Sequence, residues 1–509
     1  MSFKGYRRRD LLCALALMLA ALVIALGALT RGLPYWGDDH AAYISEGIAI
    51  ADGRLEEQAA LNYRMHPSPM PKEAEHERLV YAWGYPLMLS AVYRAAGFDR
   101  TDYTSIIWYK LPLAICYGLL AGILYLWMRR RFSAPWAAFI AALFMGSGDL
   151  YRAINILYSD LPFLLFSVLT LILSEAFSED RLRPGRRAIL AALYGAAMWY
   201  TRERRLNGTA LCAAATIGHG LWLVRNRREW RARKLWVEFT PYLVLIVLAV
   251  VSERLILAPA TSNTGDLGWI GMRAALDNLR YYAGQLYHYL DELPGIGLKI
   301  GGFALAALCA VGIASKGLRE ELYLTVLLAG TLIVNVLLPY RQGLRYLYNV
   351  LPILLLFTAH GGRAALRWLR GRLGEGRFRP VRIAAVAACA AVLALSVSHL
   401  GYMDIANLRR HGQRSGTDVY APDAVAVYRY IQENLEEDAC IAFFKPRALY
   451  LNTGRLSRRP DVNGFKLSDA DYWLLCTYQD SEYDVPDAKT VPMEPVYSND
   501  SFALSRILH

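Results

Sequence analysis

Between Leu11 and Leu29 the sequence carries no charged residue, and long apolar runs return until about residue 400. A helix of about 20 residues spans a hydrocarbon core of about 30 Å. Inside a bilayer every backbone amide and carbonyl must be paired within the protein, so a chain of this kind is held to helical spans. The runs fall at about 10–30, 104–128, 134–148, 160–176, 187–202, 204–224, 236–258, 296–314, 320–338, 345–360 and 382–401. They predict a polytopic α-helical membrane protein with about 11 transmembrane helices. Two runs, 134–148 and 187–202, are short enough to be tilted or broken spans.

The net charge of +12 would suit a nucleic-acid binder, but its placement excludes that class. Basic residues collect between the apolar runs: Lys4 to Arg9, Arg129 to Arg131, Arg181 to Arg187, Arg225 to Lys234, Lys316 and Arg319, and Arg363 to Arg382. With eleven spans all of these loops lie on one side, which the positive-inside rule makes the cytoplasm. The N-terminus is then cytoplasmic and the C-terminus outside, in the inner (cell) membrane of a bacterium. The first run is too long for a signal-peptide core and reads as an uncleaved span.

The outer face then holds a long loop at 31–103, a short one from Gly146 to Asp160, a Tyr-rich one from Ala258 to Leu293, and the tail. Two domains follow: a transmembrane domain at 1–402 and an extracytoplasmic one at 403–509. In the tail the apolar runs stop, and short stretches at 440–446, 471–478 and 501–508 read as strands after a helix at 423–435. That is the pattern of a small α/β domain. Cys440 and Cys476 lie in two of these strands, free or paired. No phosphate-loop motif G-x-x-x-x-G-K-[ST] and no G-x-S-x-G elbow is present.

The chemistry-bearing residues gather at the predicted outer face. Asp38 and Asp39 follow the first span directly, ahead of Tyr43, Gly47 and Ala51 at helical spacing. They read either as a catalytic carboxylate pair or as a turn before a helix. Asp160 opens a span, either as a helix cap or as a second active-site acid. Arg341 and Arg345, flanked by Tyr346, and Arg202 break the positive-inside bias. Guanidinium forks suit phosphate, so these read as a phosphate site, as headgroup anchors, or as partners of internal acids. His40 and His66 are available to a metal beside the acids.

These residues, in this order, resemble the GT-C glycosyltransferases, in particular the protein mannosyltransferase and aminoarabinose transferase-like group. The group's first outer loop opens Asp-Glu-x-x-Tyr before a helix ending in Gly; here Asp39, Tyr43 and Gly53 match, with His40 in place of Glu. A Pro-x-Gly-Tyr-Pro-Leu element is matched by Ala82 to Leu87, which contains Trp83 and Tyr85. Ser159-Asp160, Thr201-Arg202 and Arg345-Tyr346 with Pro352 match further elements, although Glu203 stands where the group has Pro.

The resemblance covers nearly the whole chain. It implies an inverting hexosyl- or pentosyltransferase that moves a sugar from a polyprenyl-phosphate donor to an acceptor hydroxyl at the outer face. Asp39, with Asp38 and Asp160, would be catalytic. Arg345, Arg341, Arg202 and Tyr346 would bind the donor phosphate. Tyr43, Trp83, Tyr85 and His66 would line an acceptor or lipid pocket. No cofactor is required; a divalent metal is optional in the group, and no metal ligand is assigned here. The acceptor would be an envelope glycan, lipid or protein. A lipid-linked glycan transporter or ligase of the O-antigen type, or an inactive envelope scaffold, are the competing classes.

Overall fold

The computed structural model describes residues 6–33, 36–65, 81, 83–179, 184–202, 205–225, 235–255, 271–292, 299–338, 341, 343–409, 418–460, 465–477 and 490–509. The apolar runs are helices. They are α1 (Arg8–Ala28), α5 (Ile106–Arg129), α6 (Ala134–Met145), α8 (Asp160–Glu179), α9 (Pro184–Arg202), α10 (Arg205–Arg225), α11 (Leu235–Leu255), α13 (Lys299–Gly312), α14 (Leu322–Leu337) and α15 (Leu351–Arg409). Among the described residues, the stretches Arg8–Ala28, Tyr103–Arg129, Asp160–Ser178 and Leu344–Met403 are long and apolar enough to cross a membrane.

Two loop expectations are corrected. The basic segment from Arg363 to Arg382, read as a loop between spans, is helical: α15 runs through it to Arg409 and breaks only at Gly374, whose φ of 70° no β-carbon-bearing residue adopts cheaply. The Tyr-rich loop contains the amphipathic α12 (Met272–Glu292), whose polar face hid it from a search for apolar runs.

Short helices shape one end of the bundle. These are α2 (Asp38–Asp52), α3 (Leu55–Met65) and α4 (Gly84–Ala96), with α7 (Gly148–Ala153) between α6 and α8. At the opposite end, charges are buried in pairs. Arg131 bridges Glu175 at 2.7 Å and Glu321 at 2.8 Å, and Arg129 meets Asp10 at 2.8 Å. Charges withdrawn from water are tolerated where each finds a partner, and here they tie the ends of α1, α5, α8 and α14 together.

The tail forms a five-stranded mixed sheet in the order β2-β1-β3-β5-β4. Its strands are β1 (Cys440–Ala442), β2 (Leu456–Arg458), β3 (Tyr472–Cys476), β4 (Met493–Ser498) and β5 (Phe502–Ile507). β1 runs parallel to β2 and β3; β5 runs antiparallel to β3 and β4. Helices α16 (Pro422–Asn434) and α17 (Pro446–Thr453) pack beside it. Cys440 and Cys476 form no disulfide with each other, because Cys440 starts its strand beside Asp471 while Cys476 stands opposite Phe502 at the far end of β3. Strands β2 and β4 and helix α17 escaped the sequence reading, being too short or too polar to stand out.

The sheet shares one core with the helices. Trp36, just before α2, is 6% exposed. Its ring meets Phe443 and Phe444 at 5.5 Å and Phe502 at 5.8 Å. Edge-to-face contacts of this kind add to the area they bury. Truncation of a buried Trp costs about 3–5 kcal/mol. Trp36→Ala is therefore expected to lower thermal stability by roughly that amount and to expose the tail to limited proteolysis. Unchanged protection of the tail would show that this contact does not hold it.

Candidate functional site

The site starts where α1 ends. Lys110 of α5 is fully buried and donates to the carbonyls of Thr30 (2.9 Å) and Gly32, to Thr30 Oγ1 (3.0 Å) and to Asn155 Oδ1 (3.1 Å). Asn155 in turn donates to the Ala28 carbonyl at 2.7 Å and accepts from Thr30 N at 2.9 Å. The open carbonyls at the end of a helix need such donors. Asp418 of the tail accepts from Leu33 N at 2.9 Å, and a β-carbon on Gly32 would sit 1.7 Å from Asp418 Oδ2. The turn from α1 into α2 is thereby fixed from two sides.

That turn aims α2. Its first two residues are Asp38 and Asp39, acids placed where the helix dipole favours them. They diverge in use. Asp38 Oδ1 accepts the Ala448 amide at 3.0 Å and so caps the first turn of α17 in the tail. Asp39, half-buried, lies near Tyr81, whose phenol is pushed well above its ordinary range by burial first and by the Asp39 charge second. Tyr81 stacks on Tyr43 at 4.2 Å, and Tyr43 meets Tyr85 edge-on at 5.0 Å. The Tyr43 hydroxyl lies 3.0 Å from Ser159 Oγ, next to Asp160.

Asp160 opens α8 and is 4% exposed. Arg345, in the 3-10 turn Leu344–Val350, faces the same cavity as Asp160. Asp160 is the largest anionic influence on that guanidinium, and Asp39 also acts on it. Arg345 is half-buried, and lies 4.7 Å from the Tyr158 ring centroid and 5.4 Å from that of Tyr346. Aromatic faces hold a guanidinium without consuming its donors. Arg341 is held similarly: its Nε donates to Asn278 Oδ1 at 3.1 Å, and it lies over Tyr281 at 5.2 Å. A cavity of about 380 Å³ is lined by Tyr158, Asp160, Arg341, Arg345 and Tyr348.

The structure thus gathers Asp39, Asp160, Arg341, Arg345, Tyr346, Tyr43 and Tyr85 into one region. Asp38 is directed to the tail. Trp83 is buried and packs on Trp199 at 4.6 Å, a contact that supports the neighbouring Tyr85 segment. His66 and the Arg202 side chain lie outside the described residues. Sequence reasoning overlooked Tyr81 and Lys110. The lone Lys110 inside an apolar run was a signal, since an ionisable residue at that depth needs a specific partner. Among the described residues no three His, Cys, Asp or Glu side chains gather as metal ligands.

His40 points away from water, 3% exposed, with its Nε2 unpartnered among the described residues. Burial holds its pKa down to about 4, against the opposing pull of Asp38 and Asp39. The imidazole is therefore neutral in the folded protein at pH 7.

No family model matches the sequence, and no curated protein matches it. Among solved structures, ArnT from Cupriavidus metallidurans bound to undecaprenyl phosphate superposes with a TM-score of 0.61 at 13% identity. The alignment covers 96% of this chain and 97% of that one. The same protein in its apo state gives 0.58 at 14% identity, with the same coverage. The chain has the fold of ArnT. The likeness spans both the helical part and the tail, since almost the whole of each chain is aligned.

A histidine held neutral by burial contributes stability that is complete above its unfolded pKa of 6.5 and is lost as pH falls towards 4. The 2.5-unit difference corresponds to about 3 kcal/mol. Thermal denaturation between pH 8 and pH 4 is expected to show this acid loss, and His40→Gln to flatten it by roughly that amount. Parallel profiles for the two proteins would place the acid sensitivity elsewhere.

Proposed function

We propose that this chain is an inverting glycosyltransferase that moves a hexose or pentose from a polyprenyl-phosphate donor to an acceptor hydroxyl at the outer face of a bacterial cell membrane. The observation that carries the reading is Arg345. It stands between two tyrosine rings and two carboxylates, in a cavity it shares with Arg341. A half-buried arginine beside a poised acid suits a phosphate leaving group next to a general base. The fold of ArnT, a protein whose structure holds undecaprenyl phosphate, adds support.

In this reading eleven spans place α2 to α4 and the tail outside. Asp39 takes the proton of the acceptor hydroxyl as its oxygen attacks the anomeric carbon. The carbon–oxygen bond to phosphate breaks, and the electron pair leaves with the phosphate oxygen. Arg345 and Arg341 hold that developing charge. Asp160 keeps the Arg345 fork turned into the cavity, and Tyr346 and Tyr158 fix its plane. Tyr43 and Tyr85 form the wall against which a sugar ring lies. Asp38 belongs to the scaffold, holding α2 to the tail. Attack from the face opposite the phosphate inverts the anomeric centre, with no covalent enzyme intermediate.

The test combines binding with turnover. Purified protein is mixed with a panel of polyprenyl-phosphate sugars, and thermal stabilisation identifies the donor. A ligand at a hundredfold excess over its dissociation constant stabilises by about 2.7 kcal/mol. Arg345→Ala should abolish the shift. Arg345→Lys should recover only part of it, since a point charge cannot replace the stacked fork. Asp39→Asn should keep the shift and lower transfer by about 10²- to 10⁴-fold, the usual worth of a general base. No stabilisation by any lipid phosphate would remove the transferase reading. Full transfer by Asp39→Asn would remove Asp39 as the base.

A further inference from the structure

Helix α12 lies across the ends of two apolar helices. Asn278 is buried, and its Nδ2 donates to the Val336 carbonyl at 3.1 Å and the Leu338 carbonyl at 2.9 Å. Those carbonyls belong to the end of α14, where a helix leaves acceptors open. Further along, the Tyr287 ring meets Phe303, near the start of α13, at 4.9 Å. Both contacts fall at the ends remote from the buried Arg131–Glu321 pair. Asn278, Tyr282 and Tyr289 form the buried face of α12, within about 40° of one another round the helix.

A second face is apolar and exposed. Met272, Leu276, Leu279 and Ala283 fall within about 60° of one another, centred about 110° round the helix from the buried face. Through Tyr287 this stripe adjoins Phe303, itself 71% exposed. Helix α14, on which α12 also packs, exposes Ile333 and Leu337. Arg273 and Arg280 border the stripe on the edge away from the buried face, with Asp277 3.6 Å from Arg280. Long basic stems lie along apolar surface and carry their charge up to water. One carboxylate beside two exposed guanidiniums makes no anion site; it is the apolar stripe that needs an occupant.

We propose that α12 lies in the membrane boundary, with this stripe among the acyl chains of the outer leaflet, and that this seat positions Arg341. The occupant is a lipid surface, because the stripe adjoins apolar surface of α13 and α14 that the spanning reading gives to lipid. Basic residues along the edge of an apolar face are also the pattern of a helix lying at such a surface. The same helix holds both partners of Arg341. Asn278 Oδ1 accepts from its Nε at 3.1 Å, and the Tyr281 ring lies 5.2 Å from its guanidinium. Asn278 thus joins the lipid-facing helix, the end of α14 and a cation of the reaction cavity in one chain of hydrogen bonds. The inference rests on the glycosyltransferase reading and deepens it: donor binding depends on how α12 sits in the membrane.

The experiment uses the full chain in nanodiscs of phosphatidylethanolamine and phosphatidylglycerol. Nitroxide labels are placed through Leu276→Cys, Leu279→Cys or Asp277→Cys, and the signal of the equally treated parent is subtracted. Labels at 276 and 279 are expected to favour collision with oxygen over a water-soluble nickel complex about tenfold more than the label at 277 does. Leu279→Glu, at an exposed position, should leave thermal stability without donor unchanged and weaken binding of the polyprenyl-phosphate donor about tenfold. Leu279→Met should keep both at parental values. Arg341→Gln should weaken the donor similarly, and adding Leu279→Glu to it should cost nothing more, since both act through one guanidinium. Labels at 276 and 279 as open to nickel as the one at 277 would overturn the proposal. Labels shielded from both reagents and broadened by a neighbouring spin would give the stripe to a second copy of the chain and overturn it too. Full donor affinity in Leu279→Glu, or additive losses in the double variant, would overturn the role assigned to the seat in holding Arg341. Absence of donor binding by the unmutated protein would instead sink the transferase reading, while the depth of the labels still decides where α12 lies.

Discussion

Everything at the α1–α2 junction hangs on one buried ammonium. Lys110 gathers the Thr30 and Gly32 carbonyls and the Asn155 side chain at the point where the first long helix stops. A buried charge is tolerable only when several oxygens replace its water, and here they are supplied by the turn itself. The arrangement is costly to rearrange, so the chain leaves α1 in one direction only. Asp38 and Asp39 follow within the next helix, and their positions inherit that direction.

The tail makes the junction rigid from the other side. Asp418 bonds the Leu33 amide, Asp38 bonds the Ala448 amide, and Trp36 sits among Phe443, Phe444 and Phe502. Sheet and helices thereby share a core, and the sheet becomes part of the support for α2. This explains the different fates of two adjacent acids. One is spent as a cap, and its neighbour, about 100° further round the helix, is left near Tyr81 and Arg345.

The region around Arg345 follows the same logic of partial neutralisation. Asp160 and Asp39 influence the guanidinium, and rings on two sides orient it. A guanidinium withdrawn from water needs other groups in its place, and here the Tyr158 and Tyr346 rings and the helix-terminal Asp160 provide them.

The helical architecture was legible in the sequence because a bilayer permits few solutions: apolar length specifies spans, and the basic residues at 7–9 and 129–131 specify one end of them. Strands β1, β3 and β5 were legible from alternation. The resemblance motifs named Asp39, Asp160 and Arg345, since each sits beside a recognisable local pattern. What only the tertiary structure decided are relations between distant segments. The use of Asp38 depends on Ala448, the place of Tyr43 depends on Tyr81 coming to stack on it, and Lys110 depends on where α1 ends. Helix α12 was hidden because its pattern is amphipathic, and α15 because its basic middle looks like a loop until it is seen as a helix with one Gly374 break. Local periodicity records what a segment buries; which partner it is buried against is set by contacts that no single segment contains.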